Sequence, residues 1–467
     1  MFKKKGCVLF VKKVLSQDEK FQRMVEAPLP GLIGKLAVPT IISMLITSFY
    51  NMADTFFVGK IGTSATAAVG VVFPLMSIIQ ALGFFFGHGS GNAMSRKLGA
   101  KEQESAEYLA SAGFFSALFC GLLITILGLL FLKPLALALG STDTILPYTE
   151  DYLGIILIGA PYMTAQLVLN NQLRFQGSAF YAMIGITSGA VLNMILDPLF
   201  IFVFDMGISG AALATIISQF ISFILLLLGS HFAGCIPIRL KNIKFIPKCF
   251  SEIVKGGLPS LFRQGLGSIA TIALNLAAKP YGDAAIAAMS IVMRITFFAS
   301  SALIGFGQGF QPVCGFNYGA KQYNRVRKAF WFCVKVSSVF SLIVAVIGFL
   351  LSPQLIEIFR KGDADVIRIG TTALRMQCLT FPLLGWITLN NMLFQTIGKT
   401  VPASILASAR QGIFFFPAIF LLPFFLNLTG IQLAQPVADL AAFALSIPLN
   451  LSVIRELKVL AEKNQSF

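Results

Sequence analysis

Charge is scarce in this chain. Asp, Glu, Lys and Arg make up 12% of 467 residues, too few to coat a surface that faces water. Histidine is rarer: His88 and His231 are the two, far apart and without ligand-like spacing, which argues against a metal centre or histidine-based catalysis. The seven cysteines are odd in number, scattered, and mostly inside apolar stretches, so neither a disulfide framework nor a zinc site is expected. No Walker-type glycine loop occurs, so ATP is not expected to act on the chain directly. The short apolar run after Lys5 is broken by Lys12 and Lys13, which leaves no cleavable signal peptide in view. Two tryptophans stand against 45 phenylalanines, a balance suited to lipid-facing helices rather than to a compact water-soluble core. What remains is 56% hydrophobic with a mean hydropathy of +0.81, and the solvent implied is lipid.

The second conspicuous property is repetition. Pro39 recurs as Pro259, Gly87 as Gly307, Gly89 as Gly309 and Gly99-Ala100-Lys101 as Gly319-Ala320-Lys321, all at an offset of 220 residues. Asn170-Asn171 matches Asn390-Asn391 at the same offset, while Phe175-Gln176 and Pro198 match Phe394-Gln395 and Pro417 at 219. Repeats in solenoids and propellers are about 20 to 50 residues long. A period several times that length in so apolar a chain points to a transporter made of two related halves.

Stretches long enough to cross about 30 Å of hydrocarbon at about 1.5 Å per residue can be marked at twelve places. They are 33–57, 64–91, 106–131, 148–171, 179–203 and 209–233, then 254–277, 283–311, 329–351, 367–396, 401–425 and 430–453. This predicts an all-α integral membrane protein of twelve transmembrane helices in two pseudo-symmetric six-helix lobes. The expected parts are a tail over 1–30, an N-lobe over 31–233, a linker over 234–253, a C-lobe over 254–455 and a tail over 456–467. Six spans per half give both halves one orientation, so their pseudo-two-fold axis should follow the membrane normal.

Basic residues set the direction. Lys3, Lys4, Lys5, Lys12, Lys13, Lys20, Arg23 and Lys35 lie at or before the first span, and Arg239, Lys241, Lys244, Lys248 and Lys255 surround the linker. With Arg96, Lys97, Lys101, Lys321, Arg325, Arg327, Lys328, Arg455, Lys458 and Lys463 they gather on one face, whereas Lys60, Lys133, Lys279, Arg360, Lys361 and Arg368 lie on the other. Both termini are therefore expected in the cytoplasm, with the chain in a bacterial cytoplasmic membrane. The formal net charge of +16 is read as topological charge with some attraction to anionic lipid, not as a nucleic-acid surface.

An ionisable group inside lipid is costly unless paired or hydrated, so each one in a span is a candidate. Asp54 lies late in the first span and Asp197 late in the fifth, at matching depth. Asn193 precedes Asp197 by one helical turn, and Thr215 falls about 9 Å into the descending sixth span. Two carboxylates, an amide and a hydroxyl can form an oxygen cage that shares a proton or coordinates sodium. The same residue types also allow a bland reading, in which Asp54 caps a helix end and Asp197 bonds locally before Pro198. The aligned positions of the second half, Leu274, Gly412 and Phe416, are not ionisable, which favours the cage.

The second half instead carries Arg263, Arg294, Arg375 and Arg410, with Asp439 at the depth of Arg410. A structural pair between Arg410 and Asp439 is the favoured reading and substrate contact the alternative. Gly83, Gly87, Gly91, Gly305, Gly307 and Gly309 are read as close helix packing. Pro161 and Pro382 permit bends within their spans. Tyr50, Asn51, Gln166, Asn170, Arg294 and Asn390 are candidates for a substrate cavity.

Several segments together resemble the multidrug and toxic compound extrusion (MATE) transporters, in particular the MepA-like branch, over about residues 30–455. They are Tyr50 to Gly59, Asn193 to Pro198, Asn317-Tyr318-Gly319-Ala320-Lys321, Leu393-Phe394-Gln395, Arg410-Gln411-Gly412 and Pro436-Val437-Ala438-Asp439. The resemblance implies two lobes around a central cavity, no enzymatic activity, no cofactor beyond H⁺ or Na⁺ as coupling ion, and small amphipathic, commonly cationic substrates. It implies a monomer in contact with membrane lipids. It also assigns a cation site to Asp54, Asn193, Asp197 and Thr215. Other members place acids in spans seven and ten, where this sequence offers Arg263 and Arg375, so a C-lobe cation site of that kind is not expected. A lipid-linked saccharide flippase of the same superfamily is the alternative.

Overall fold

The computed structural model describes residues 16–242, 247–360 and 362–465, with the side chains of Thr63, Lys248 and Gln465 left aside. The expectations for Lys3, Lys4, Lys5, Lys12, Lys13, Lys244, the side chain of Lys248, Lys361 and residues 466–467 lie outside that range. Within it all the regular secondary structure is helical. The first six spans are Leu29–Gly59, Thr63–Gly99, Gln103–Leu130, Leu146–Phe175, Ala179–Pro198 continued by a π-helical turn at Leu199–Val203, and Gly207–Phe232. The second six are Pro247–Ala278, Asp283–Gly319, Tyr323–Leu350, Ala364–Thr396, Thr400–Ser408 continued through a π turn at Ala409–Ile413 into Phe415–Leu426, and Leu428–Gln465.

Ten of these twelve are apolar enough to cross a membrane by length and composition alone. The other two, the seventh (32 residues) and tenth (33 residues), are as long but more polar. Lys255, Arg263 and Gln264 lie in the seventh, and Arg368, Arg375 and Gln377 in the tenth. The bundle shields these polar positions from lipid to differing degrees; Gln377, for example, is buried. Exposed apolar side chains concentrate on the third and ninth spans, as in Leu122, Leu123, Ile126 and Leu127 and again in Val339, Leu342, Ile343, Val346 and Ile347. On a water-soluble protein such a patch would demand a partner; here hydrocarbon covers it.

The duplication is visible in local chemistry. The second span ends in a turn where Lys101 has φ 62°, and the eighth ends where Lys321 has φ 58°. In both, the two amides after the helix fold back on the last turn: Lys101 and Glu102 donate to Leu98 and Lys97, Lys321 and Gln322 to Tyr318 and Asn317. A short helix follows the third span, Leu132–Ala138, and the ninth, Ser352–Phe359. The fourth and tenth spans correct the sequence alignment, however. Their ends superimpose at an offset of 221, with Gly177 at φ 77° matching Gly398 at φ 85°. Asn170 therefore corresponds to Asn391, since each amide donates across to the next span, to Ala182 O at 3.1 Å and Ala403 O at 2.7 Å. The matches of Asn170-Asn171 at 220 and Phe175-Gln176 at 219 are identities one and two residues out of structural register.

The lobes meet by a two-fold exchange: the first span packs on the eighth, and the second on the seventh. Glycine makes the first of these crossings possible. A Cβ on Gly305 would lie 2.7 Å from the Cα of Ile41, and one on Gly309 would lie 2.5 Å from the Cα of Ala37. Thr40 Oγ1 donates to Gly305 O at 2.6 Å and Ser48 Oγ meets Ser301 Oγ at 2.7 Å. Near the basic end, Arg96 donates to Thr396 O at 2.7 Å and pairs with Glu252 at 3.3 Å, both across the lobes.

The helix Gln17–Glu26, begun by a Ser16 capping box, lies across the same end. Lys20 is buried there, its Nζ donating to Ala233 O and Gly234 O at 2.7 Å each, and burial pushes its pKa below the usual lysine value. The C-lobe completes the strap through Asn317, whose Nδ2 donates to Met24 O at 3.0 Å.

Topology makes a first prediction. With a cysteine-free background, Asn242→Cys and Thr142→Cys should react with an impermeant thiol reagent from opposite sides of the membrane, position 242 from the cytoplasm. Labelling of both from one side would overturn the twelve-span arrangement.

Candidate functional site

The first span packs against the fifth, and the fifth against the sixth. That packing brings Asp54, Asn193, Asp197 and Thr215 into one cluster. Asp197 has 0% exposure, and Asn193 and Thr215 are buried around it, while Asp54 is half-buried. The Asn193 amide nitrogen donates to Asp197 Oδ2 at 2.8 Å and its oxygen accepts from the Thr215 backbone N–H at 3.2 Å. The reversed amide would press its oxygen against the carboxylate, so this orientation is the one chemistry selects. Asp54 Oδ1 is buried without any hydrogen-bond partner. An orphaned carboxylate oxygen beside a second, fully buried carboxylate is a donor set suited to a proton or a dehydrated cation.

Local structure aims these groups. The α-helix of the fifth span gives way to a π turn directly after Asp197-Pro198, and the widened turn changes the direction of the backbone beside the carboxylate. The eleventh span has its π turn earlier, at Ala409–Ile413, so the two halves diverge at this level. Taken at an offset of 219 or 221, Asn193 and Asp197 face Gly412 and Phe416 or Phe414 and Ala418 in the second half, none of them ionisable.

Sequence reasoning missed two members of the cluster. Tyr152 of the fourth span is buried within electrostatic reach of Asp54, Tyr50 and Asp197, and its hydroxyl stands 3.8 Å from Met76 Sδ. The Tyr50 hydroxyl lies within interaction range of Thr215, Gln219 and both carboxylates, which makes Gln219 the second. Tyr50 thus belongs to the carboxylate cluster rather than to a separate cavity lining. Neutral side chains such as Tyr152 and Gln219 carry no charge signal along an apolar span.

The other cavity candidates separate. Gln166, Asn170 and Asn390 are corrected: they lie buried inside their lobes, where an amide in low dielectric is held by the neighbouring helix. Gln166 donates to Ser222 Oγ at 2.9 Å, Asn170 to Ala182 O, and Asn390 to Trp386 O at 2.9 Å while accepting from Asn450. Asn51 and Arg294 are exposed side chains of the first and eighth spans. Arg375 sits at the outer rim, donating to Ser352 Oγ at 3.0 Å and lying over the Phe349 ring.

In the C-lobe Arg410 Nε donates to Asp439 Oδ1 at 2.7 Å. Asp439 has 0% exposure and takes two further donors, Gln377 Nε2 and Gln435 Nε2, both at 2.8 Å. Both of its oxygens accept from protein donors, one of them charged, whereas Asp54 Oδ1 has no partner.

A helical membrane protein of two related halves, with a cluster of two carboxylates in the first half, is the class this geometry defines. The family model MatE matches residues 39–199 and 259–421, once in each half, and the chain belongs to that family. It is an integral membrane protein of the transporter fold, in a lipid environment. Among curated relatives, Multidrug export protein MepA of Staphylococcus saprophyticus is 28% identical over 414 residues, which cover 87% of this chain and 91% of the relative. A multidrug resistance MATE family transporter of the MOP superfamily, solved in an outward-facing conformation, superimposes with a TM-score of 0.88 at 26% identity, covering 96% of this chain and all of that one. A MOP superfamily transporter from Pyrococcus furiosus, described as having a binding pocket of reverse polarity that suggests a different function, superimposes at 0.86 with 26% identity over 93% of this chain and 98% of that one.

Proposed function

We propose that this chain is a secondary active multidrug exporter that expels small amphipathic, cationic organic compounds in exchange for H⁺ or Na⁺ by alternating access. The observation that carries the reading is the Asp54–Asp197 cluster, with a buried, unpartnered carboxylate oxygen beside a second carboxylate held by Asn193. Such a site binds a cation from one side of the membrane and releases it to the other when the lobes rock. The inter-lobe crossings of the first span on the eighth and the second on the seventh are the surfaces that must part. The named relatives, export proteins and a multidrug transporter, support the substrate class.

A second reading, a flippase for a lipid-linked saccharide, draws on the arginines of the second half and on the reverse-polarity relative. Ethidium efflux from proteoliposomes separates the two. Under an imposed pH gradient or an imposed sodium gradient, the exporter reading expects uphill efflux with one of the two ions. No efflux with either, from vesicles in which the protein is folded and oriented, would turn the reading toward the flippase.

A further inference from the structure

The carboxylate cluster leaves a second group of ionisable residues unexplained. Arg174, near the end of the fourth span, is 4% exposed. Its Nη2 donates to Asn171 Oδ1, but Nε and Nη1 are buried with no hydrogen-bond partner. The charge that acts on it is another cation, Arg263 of the seventh span, which belongs to the opposite lobe. Arg263 itself makes one weak bond, Nη1 to Asn391 Oδ1 at 3.3 Å. Among the described residues neither arginine has a carboxylate within 4.0 Å, the range that defines the ion pairs elsewhere in the chain.

The surroundings are polar and come from both lobes. His88 of the second span is within electrostatic reach of both arginines, and its Nδ1 meets Ser260 Oγ at 3.1 Å. Ser260 also accepts from Gln395 Nε2 at 2.8 Å. These amides and hydroxyls are neutral and offset little of the charge. Arg174 is buried and Arg263 half-buried; the two guanidinium groups repel each other, and burying the first without a counter-charge is costly. A fold that retains both gains most from an anion, for which guanidinium N–H groups are the best-matched donors.

We infer that Arg174 and Arg263 form an inter-lobe binding site for an oxyanion, a carboxylate or phosphate group that arrives either on the transported molecule or as a free inorganic ion. Because one arginine belongs to each lobe, the bound group bridges them, and its arrival or departure alters the energy of the contact between the lobes. The two groups share no residue: the fourth span contributes Tyr152 to the aspartate cluster and Arg174, 22 residues further along, to this one.

The test reads binding and not transport, so its failure leaves the exporter reading standing. Purified protein in detergent is titrated with inorganic phosphate at constant ionic strength, with chloride as the balancing salt, and its thermal midpoint is followed. Wild-type protein should show a saturable rise with phosphate beyond that in chloride. Arg174→Gln and Arg263→Gln should each weaken the apparent affinity roughly tenfold or more, the loss expected for a charged hydrogen-bond donor. Arg368→Gln, an exposed arginine outside the group, should leave it unchanged. Octyl phosphate distinguishes the sources: tighter binding than inorganic phosphate with displacement of ethidium indicates a substrate-borne group, and equal affinity without displacement indicates a free ion. A wild-type midpoint that responds to phosphate and octyl phosphate no more than to chloride overturns the inference. Retention of full phosphate response in Arg263→Gln does so too, and this variant stands alone if Arg174→Gln fails to fold.

Discussion

Arg410→Ala should lower the stability of the folded protein by roughly 3 kcal/mol or more, the usual cost of stripping one partner from a buried ion pair. Asp439 would keep Gln377 and Gln435 as donors but lose its only charged one, leaving a fully buried carboxylate facing two neutral amides. Asp439→Ala should cost as much, because three donors then lose their acceptor. Arg410 lies within the π turn at Ala409–Ile413 and pairs with Asp439 of the twelfth span. Thermal unfolding in detergent reads the effect. A double change to apolar residues, Arg410→Met with Asp439→Leu, should recover part of the loss by removing the unpaired charge, while Gln377 and Gln435 still lack their acceptor. Unchanged midpoints in both single alanine variants would show that the pair contributes nothing.

Asp54→Asn and Asp197→Asn should each abolish gradient-driven efflux while leaving substrate binding measurable. The amide keeps volume and some hydrogen bonding, so folding should survive, but the charge that holds a proton or sodium ion is gone. Reciprocity between the two ligands predicts weaker substrate binding rather than none. Conservative changes at Leu274 and Phe416, which occupy the aligned positions of the other half, should preserve transport. A variant of Tyr152 to Phe offers a milder probe: the ring stays in its packing and the hydroxyl near both carboxylates is lost, so the efflux rate should fall without loss of fold.

Much of this was legible because lipid imposes strong patterns. The marked stretches fall on helices, ten of the spans apolar enough to cross by composition, and the spans that carry Asp54 and Asp197 pack together. The errors have physical origins. Gln166, Asn170 and Asn390 look like cavity polarity in a sequence, yet an amide within a lobe serves equally to bond a neighbouring helix, as Asn170 does with Ala182. Arg174 was overlooked because it stands near the end of its span, where basic residues usually mark topology; burial, which sequence does not display, makes it conspicuous. The π turns escaped notice since a one-residue widening leaves hydropathy unchanged, and the true register of the tenth span emerged from backbone turns rather than from identities.

The most direct test of the central claim is ethidium efflux from proteoliposomes containing the doubly neutralised protein, Asp54→Asn with Asp197→Asn, under the gradient that drives the wild type. The account predicts no uphill efflux alongside retained ethidium binding and a normal thermal midpoint. Full gradient-driven efflux by the double variant would contradict it and leave both aspartates as structural groups.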